Sequence, residues 1–143
     1  MASIHFFSEV PTFKLKNTKK VSGWIRSVLK REKKTLSSLN YIFCSDDHLR
    51  EMNIRYLNHK TFTDIITFNY NPSENEIEGE IYISIDRITD NAEKFDVDFD
   101  TELHRVMIHG VLHLIGYNDK SKTEKSIMRE KEDSCLSLLK ISK

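Results

Sequence analysis

Between Leu103 and Ile115 the chain reads LHRVMIHGVLHLI, and its apolar residues point in nearly every direction around a helix: Leu103, Val106, Met107, Ile108, Val111, Leu112, Leu114 and Ile115. A helix without a polar face has to be covered on all sides. This one segment therefore calls for a fold in which the other elements pack around it. The 143 residues available suit one domain with a real core.

Two residues interrupt the apolar run. His109 and His113 lie one turn apart, about 40° in azimuth and about 6 Å in rise, so both project the same way. A buried imidazole needs partners for its ring nitrogens, and two on one stripe suggest a shared partner, for which a metal ion is usual. Gly116 suits the left-handed residue that closes a helix, and the chain can then bring Asp119 back toward the last turn. Two imidazoles and a carboxylate, with a fourth position left to water, make the donor set of a catalytic zinc site. Ni²⁺, Co²⁺ and Mn²⁺ also suit these ligands. The spacing H-x-x-x-H by itself is also found in satisfied core or surface histidines. Here the apolar surroundings, the glycine stop and the downstream aspartate favour the metal.

Gly110 narrows the chemistry. In the H-E-x-x-H metalloprotease signature the residue after the first histidine is the general base. A glycine there costs about 1 kcal/mol relative to alanine in a helix interior, which points to close packing against the backbone and away from peptidase chemistry. His104 faces elsewhere on the helix, and His5, His48 and His59 lack a matching partner; all four read as ordinary polar residues.

The remaining elements follow from periodicity and end signals. SIHFFSE (3–9) and SLNYIFCS (38–45) read as strands. Between them TKKVSGWIRSVLKREKK (18–34) places Val21, Trp24, Ile25, Val28 and Leu29 at helical spacing. A second helix over 45–60 carries Leu49, Met52, Tyr56 and Leu57 on one stripe. Strands TDIITFNY (63–70) and EGEIYISI (78–85) flank a polar loop at 71–79, and a short helix is expected at 84–96. The apolar helix runs from about Thr101 to Ile115 with Asp100 at its N-cap and Glu102 in the first turn. Ser121 and Glu124 form a capping box for a last helix, whose apolar side holds Ile127, Met128, Cys135, Leu138 and Leu139. The expected fold is α+β: a small mixed four-stranded sheet covered by about five helices, with the metal site at the end of the buried central helix.

Composition excludes several classes. There is no apolar run near the roughly 18 residues that span a bilayer, and the N-terminus lacks a basic start followed by an apolar signal core. A cytoplasmic protein without a membrane association is expected. Cys44 and Cys135 are read as reduced thiols used as small apolar residues. Net charge is zero, yet residues 14–34 hold nine Lys/Arg against Glu32 alone, and residues 74–102 hold eleven Asp/Glu against Arg87 and Lys94. Two solvated faces account for this, as does a basic segment that grips a phosphate backbone.

HGVLHLIGYND (109–119) resembles the H-G-x-L-H-L-x-G-Y-D-H signature of the YbeY-type bacterial endoribonucleases. TDIITF (63–68) is similar to the family's T-D-V-L-S-F, GEIYIS (79–84) to G-D-I-x-I-S, and ELHRVMIHG (102–110) to the lead into its ligand helix. The resemblance spans roughly residues 50–135 in order. It implies a single-strand-specific, metal-dependent RNA hydrolase, zinc by preference. The expected partners are rRNA and the ribosomal subunit, in maturation of the 16S rRNA 3′ end and ribosome quality control. His109 and His113 match its first two ligands, and Asp119 stands where a third histidine is usual. That makes the site harder and less positive, which bears on metal preference. Leu57 occupies the position of the family's usual arginine, for which Arg55, one turn from His59, and the basic segment at 14–34 are possible substitutes.

The expected reaction is metal-assisted phosphodiester hydrolysis in which the metal-bound water is the catalytic group. Asp64 is a candidate for orienting an imidazole, or else a turn residue ahead of a strand; Glu80 and Tyr117 stand likewise. The alternative is a ribosome-associated binding module whose metal only holds the C-terminal segment in place. A site closed by four protein ligands would mark that case.

Overall fold

The computed structural model describes residues 2–57 and 63–139. In chain order the elements are β1 (Ser3–Ser8), α1 (Thr18–Arg31), β2 (Thr35–Cys44), α2 (Asp46–Leu57), β3 (Ile65–Asn69), β4 (Glu76–Ser84), α3 (Ile85–Lys94), α4 (Phe99–Ile115) and α5 (Lys122–Leu136). The strands form one sheet in the order β1-β2-β4-β3. β1, β2 and β4 run parallel, and β3 is antiparallel at the edge. This is the α+β arrangement of a mixed four-stranded sheet and five helices anticipated from the sequence.

Alternation along β4 sorts the two faces. Ile77, Gly79, Ile81 and Ile83 are buried, while the interleaved Glu78, Glu80 and Tyr82 are half-buried. The first set joins Leu39, Tyr41 and Phe43 of β2 under α1 and α4, in the main core. The opposite face holds a smaller cluster, Cys44, Leu49, Met52 and Ile66, beneath α2.

α4 lies against the sheet with α5 outside it, and Val106, Met107, Ile108, Val111, Leu112 and Leu114 are all buried. Its close approach depends on Gly110. A Cβ there would sit 2.9 Å from Ile81 Cδ1 and 3.0 Å from Ile65 Cδ1, so the glycine lets the helix settle onto β3 and β4. Tyr41 Oη donates to the Met107 carbonyl at 3.0 Å, and Trp24 Nε1 of α1 donates to the Cys135 carbonyl of α5 at 2.7 Å. Both buried polar groups thereby find partners and tie layers together.

Several element ends differ from the expected ones. α4 begins at Phe99 with Asp98, not Asp100, at the N-cap. The Glu102 N–H bonds the Asp98 carbonyl at 3.1 Å, and the added residues seat Phe99 beside Phe13. β4 starts inside the stretch assigned to a loop, because Ile77 is fully buried and Glu76 pairs with Thr35. β2 likewise begins at Thr35, before the expected Ser38. α1 stops at Arg31, and Lys33 at φ 60° turns the chain. On α2, Tyr56 is 58% exposed, since it stands edge-on to Phe68 at the rim. On α5 the covered face is Met128, Glu132 and Cys135, so Ile127 is exposed, as is Leu138 beyond the helix end.

Candidate metal centre

The capping box that opens α5 is formed: the Glu124 N–H bonds Ser121 Oγ at 3.0 Å, and Glu124 Oε1 accepts from the Ser121 N–H at 2.9 Å. α4 ends at Gly116, whose φ of 122° is one an L side chain rarely adopts. The Gly116 N–H bonds the Leu112 and His113 carbonyls, and the Tyr117 N–H also bonds Leu112. Between these two fixed points the turn at 116–121 brings Asp119 back over the last turn of α4. The turn is tethered from a third side, since Tyr117 Oη donates to Glu32 Oε1 at 2.7 Å and Lys131 Nζ to Glu32 Oε2 at 3.2 Å. Tyr117 thus faces the end of α1 and serves to hold the turn.

His109, His113 and Asp119 converge as one group of ligand atoms. His109 Nε2 and His113 Nε2 are 3.0 Å apart, and Asp119 Oδ2 lies 3.3 Å from the former and 3.4 Å from the latter. A tetrahedral ion with bonds of about 2.1 Å keeps its ligand atoms about 3.4 Å apart. The triangle is already nearly that size. Two imidazole nitrogens and a carboxylate oxygen also form a donor set suited to zinc. The residues fit such an ion.

Sequence reasoning missed the residue that sets the triangle. Glu132 of α5, buried at 5% exposure, bonds His109 Nδ1 through Oε2 at 2.6 Å. This contact fixes the ring so that Nε2 faces Asp119 and His113, the carboxylate–histidine backing common behind metal ligands. Burial pulls the His109 pKa down, but the Glu132 bond and the charges of Glu132, Asp119 and Asp64 outweigh it, so the net shift is upward. Arg105 in turn bonds Glu132 Oε1 at 3.0 Å and Asp133 Oδ1 at 2.7 Å. The second oxygen of the buried carboxylate is satisfied, and its charge is paired. The available signal was a glutamate four residues after Met128 and three before Cys135, a charge on the covered stripe.

The other candidates are placed as follows. Asp64 lies near the group and interacts electrostatically with His109, Glu132 and Asp119; burial raises its pKa despite the opposing pull of His109. Its Oδ2 accepts from Asn91 Nδ2 at 3.4 Å, so the carboxylate that orients the imidazole is Glu132. Glu80 points to the opposite sheet face and accepts from Tyr70 Oη at 3.2 Å. Arg55 is also on that side, 3.7 Å from Glu51. His59 and the Leu57 side chain lie outside the described residues. In the basic segment, Arg31 bonds Ser134 Oγ, Lys34 the Glu74 carbonyl and Arg26 the Ala2 carbonyl, so part of its charge has intramolecular partners. His104 stands edge-on to Trp24, and Cys44 and Cys135 are both buried free thiols.

Comparison with known proteins places the chain in a family. The family profile described as Endoribonuclease YbeY matches residues 7–140. The protein named Endoribonuclease YbeY from Amoebophilus asiaticus is 52% identical over 131 residues, 92% of this chain and 89% of its own length. That of Cytophaga hutchinsonii is 47% identical over 138 residues, 96% of each. The solution structure of TM1509 from Thermotoga maritima superposes with a TM-score of 0.67 at 27% identity, covering 96% of this chain and 89% of that one. With a profile running nearly end to end and relatives near half identical, the chain belongs to the Endoribonuclease YbeY family.

Proposed function

We propose that this protein, acting as a single domain, is a metal-dependent endoribonuclease that hydrolyses phosphodiester bonds in single-stranded RNA. Zn²⁺ is the preferred ion, and His109, His113 and Asp119 are its ligands. The observation that carries this reading is the His109–His113–Asp119 triangle, already near the ligand spacing of a tetrahedral ion. Family membership supplies the reaction class, since relatives bear the name of an RNA-cleaving enzyme. Processing of rRNA, at the 16S 3′ end and in ribosome quality control, is the proposed cellular setting, and the cytoplasm its location. No helix among the described residues is long and apolar enough to cross a membrane.

A bound divalent ion would polarise a phosphoryl oxygen and make water acidic enough to attack near neutral pH. The chain's own part is positional. Glu132 keeps His109 Nδ1 occupied, so Nε2 remains directed at the site, and Arg105 pairs with Glu132 and holds it in place. Gly116 and Tyr117 hold the turn from which Asp119 reaches back. Asp64 adds a further carboxylate near the triad, interacting electrostatically with His109 and Asp119.

The test combines elemental analysis of the purified chain with incubation of unstructured RNA, with and without chelator. Chelator-sensitive cleavage that disappears in His113→Ala, together with the loss of one equivalent of bound zinc, is the expected result. Robust cleavage by a metal-free His113→Ala protein would refute the proposal. Metal held without any turnover would instead leave a binding module with a structural ion.

A further inference from the structure

His48 and Cys44, an ordinary polar residue and a small apolar one by sequence, meet in the structure. Glu9, Cys44 and His48 bring a carboxylate oxygen, a thiol sulfur and a ring nitrogen within 4.8 Å of one another. Three segments supply them. Glu9 follows β1 and its N–H bonds the Phe43 carbonyl at 2.8 Å; Cys44 is the last residue of β2; His48 lies in the first turn of α2 with its N–H on Ser45 Oγ at 3.2 Å. β1 and β2 are parallel, with Ser8 paired to Phe43. Their carboxyl ends therefore lie side by side, and the register puts the three donors together.

The surroundings suit a cation. His48 and Glu9, with Glu51, Met52, Arg55 and Tyr82, line a cavity of about 200 Å³ on the α2 side of the sheet, and the cation in that lining, Arg55, pairs with Glu51 at 3.7 Å. Burial first, then the charges of Glu9, Asp86 and Asp46, push the Cys44 thiol up to about 12. The same negative charges that oppose a bare thiolate attract a positive ion, although Arg87 already pairs with Asp46 at 3.1 Å. His48 Nδ1 and Glu9 Oε1 are now 2.5 Å apart, with side chains 41% and 47% exposed. To hold an ion they have to part by about 1 Å, which their exposure allows.

We propose that Glu9, Cys44 and His48 form a second cation site, containing a thiolate and selective for a borderline-soft divalent ion such as Zn²⁺ or Co²⁺, separate from the His109–His113–Asp119 triad. A mixed N/O/S set selects such ions over Mg²⁺ or Ca²⁺. Binding forms a metal–sulfur bond, breaks the S–H bond and releases that proton to solvent; no electrons change hands.

Cobalt titration of the full chain tests this. A Co²⁺–thiolate bond gives a near-ultraviolet charge-transfer band, and the first triad has no sulfur to produce one. The band is expected in the unmodified chain and, undiminished, in His113→Ala. It should vanish in Cys44→Ser and in His48→Ala, the latter removing a half-exposed side chain that leaves the core intact. Equilibrium dialysis with zinc should find one ion per chain in His113→Ala and none once His48→Ala is added. Absence of the band in the unmodified chain, its persistence in His48→Ala, or no zinc in His113→Ala would each overturn the proposal. RNA cleavage by His113→Ala reports on the first triad alone, so the two sites fail separately.

Discussion

The two donor clusters are assembled in opposite ways. His109 and His113 come from one helix, their spacing set by its pitch, and the third donor arrives from the turn that ends it. Behind them stands a second layer: Glu132 on His109 at 2.6 Å, then Arg105 on Glu132 at 3.0 Å. The Glu9–Cys44–His48 cluster comes from three segments joined by strand register, and its carboxylate and imidazole bond each other directly. The difference teaches where preorganisation comes from. In the first cluster, supports outside the triangle hold the ligands near metal-binding distance, so an ion has to part only the His109–His113 Nε2 contact, by a few tenths of an ångström from 3.0 Å. In the second, an ion must displace an existing contact and a thiol proton. Chelator competition should therefore empty the second cluster before the first. The largest expected effect is at the first: His113→Ala removes one of the three donors of that triangle, so one equivalent of bound zinc should be lost and RNA cleavage should fall to background. Elemental analysis and a cleavage assay read this directly. Retention of the full zinc complement by that variant would erase the contrast.

Glu132→Gln is the sharper probe, because it keeps shape and removes charge. Loss of an outer carboxylate behind a metal-binding imidazole typically costs about 10- to 100-fold in affinity or activity. The same drop is expected here in zinc affinity by competition titration, with a folded protein by circular dichroism. The acid side of the affinity profile should move too. His109 titrates above its usual value because of Glu132, so protons compete with the ion up to a higher pH in the native protein than in the variant. Equal pH profiles would show that Glu132 does not set the state of the ring.

The contrast also explains what could be read in advance. The helix spacing, the Gly116 stop and Asp119 lie within eleven residues, where local geometry fixes relative position. The sheet and its five helices were legible for the same reason, since alternation and helical periodicity are local. Glu132 lies 23 positions from His109, and only the docking of α5 on α4 makes it a neighbour. His48 and Cys44 find Glu9 through the pairing of β1 with β2, which residue pattern alone does not dictate. Tyr56 failed for a related reason: periodicity places a side chain on a stripe but does not say how far the neighbouring sheet extends beneath it. Asp64 and Glu132 divided a role that motif position had offered to Asp64, because backbone direction decided which carboxylate reaches Nδ1.

Tyr117→Phe asks whether the turn needs its third tether. Removing the hydroxyl takes a hydrogen bond from the Glu32 carboxylate, worth about 1.5 kcal/mol for a charged acceptor. Lys131 still holds Glu32 at 3.2 Å. Chemical denaturation should show a loss of about that size, while zinc affinity changes by only a few-fold, since Gly116 and the capping box continue to place Asp119. A loss of affinity as large as that of Glu132→Gln would mean that the turn, and not the backing carboxylate, organises the site.

The smallest effect is expected at Glu102, a buried carboxylate one helical turn below Val106 and two below His109. Burial raises its pKa above 4.5, the charge of Asp64 adds to this, and Arg105 and Arg129 pull the other way. A raised value means that the native state binds the proton more tightly than the unfolded chain. Its contribution to stability is complete below pH 4.5 and is lost as pH rises through the native value. Gln has no proton to lose. Glu102→Gln should therefore match the native protein in acid and melt slightly higher at neutral pH, without altering zinc affinity. The two melting curves followed from acid to neutral pH decide it. Parallel curves would show that the charge beneath the triad is already compensated, and that Arg105 serves Glu102 as fully as it serves Glu132.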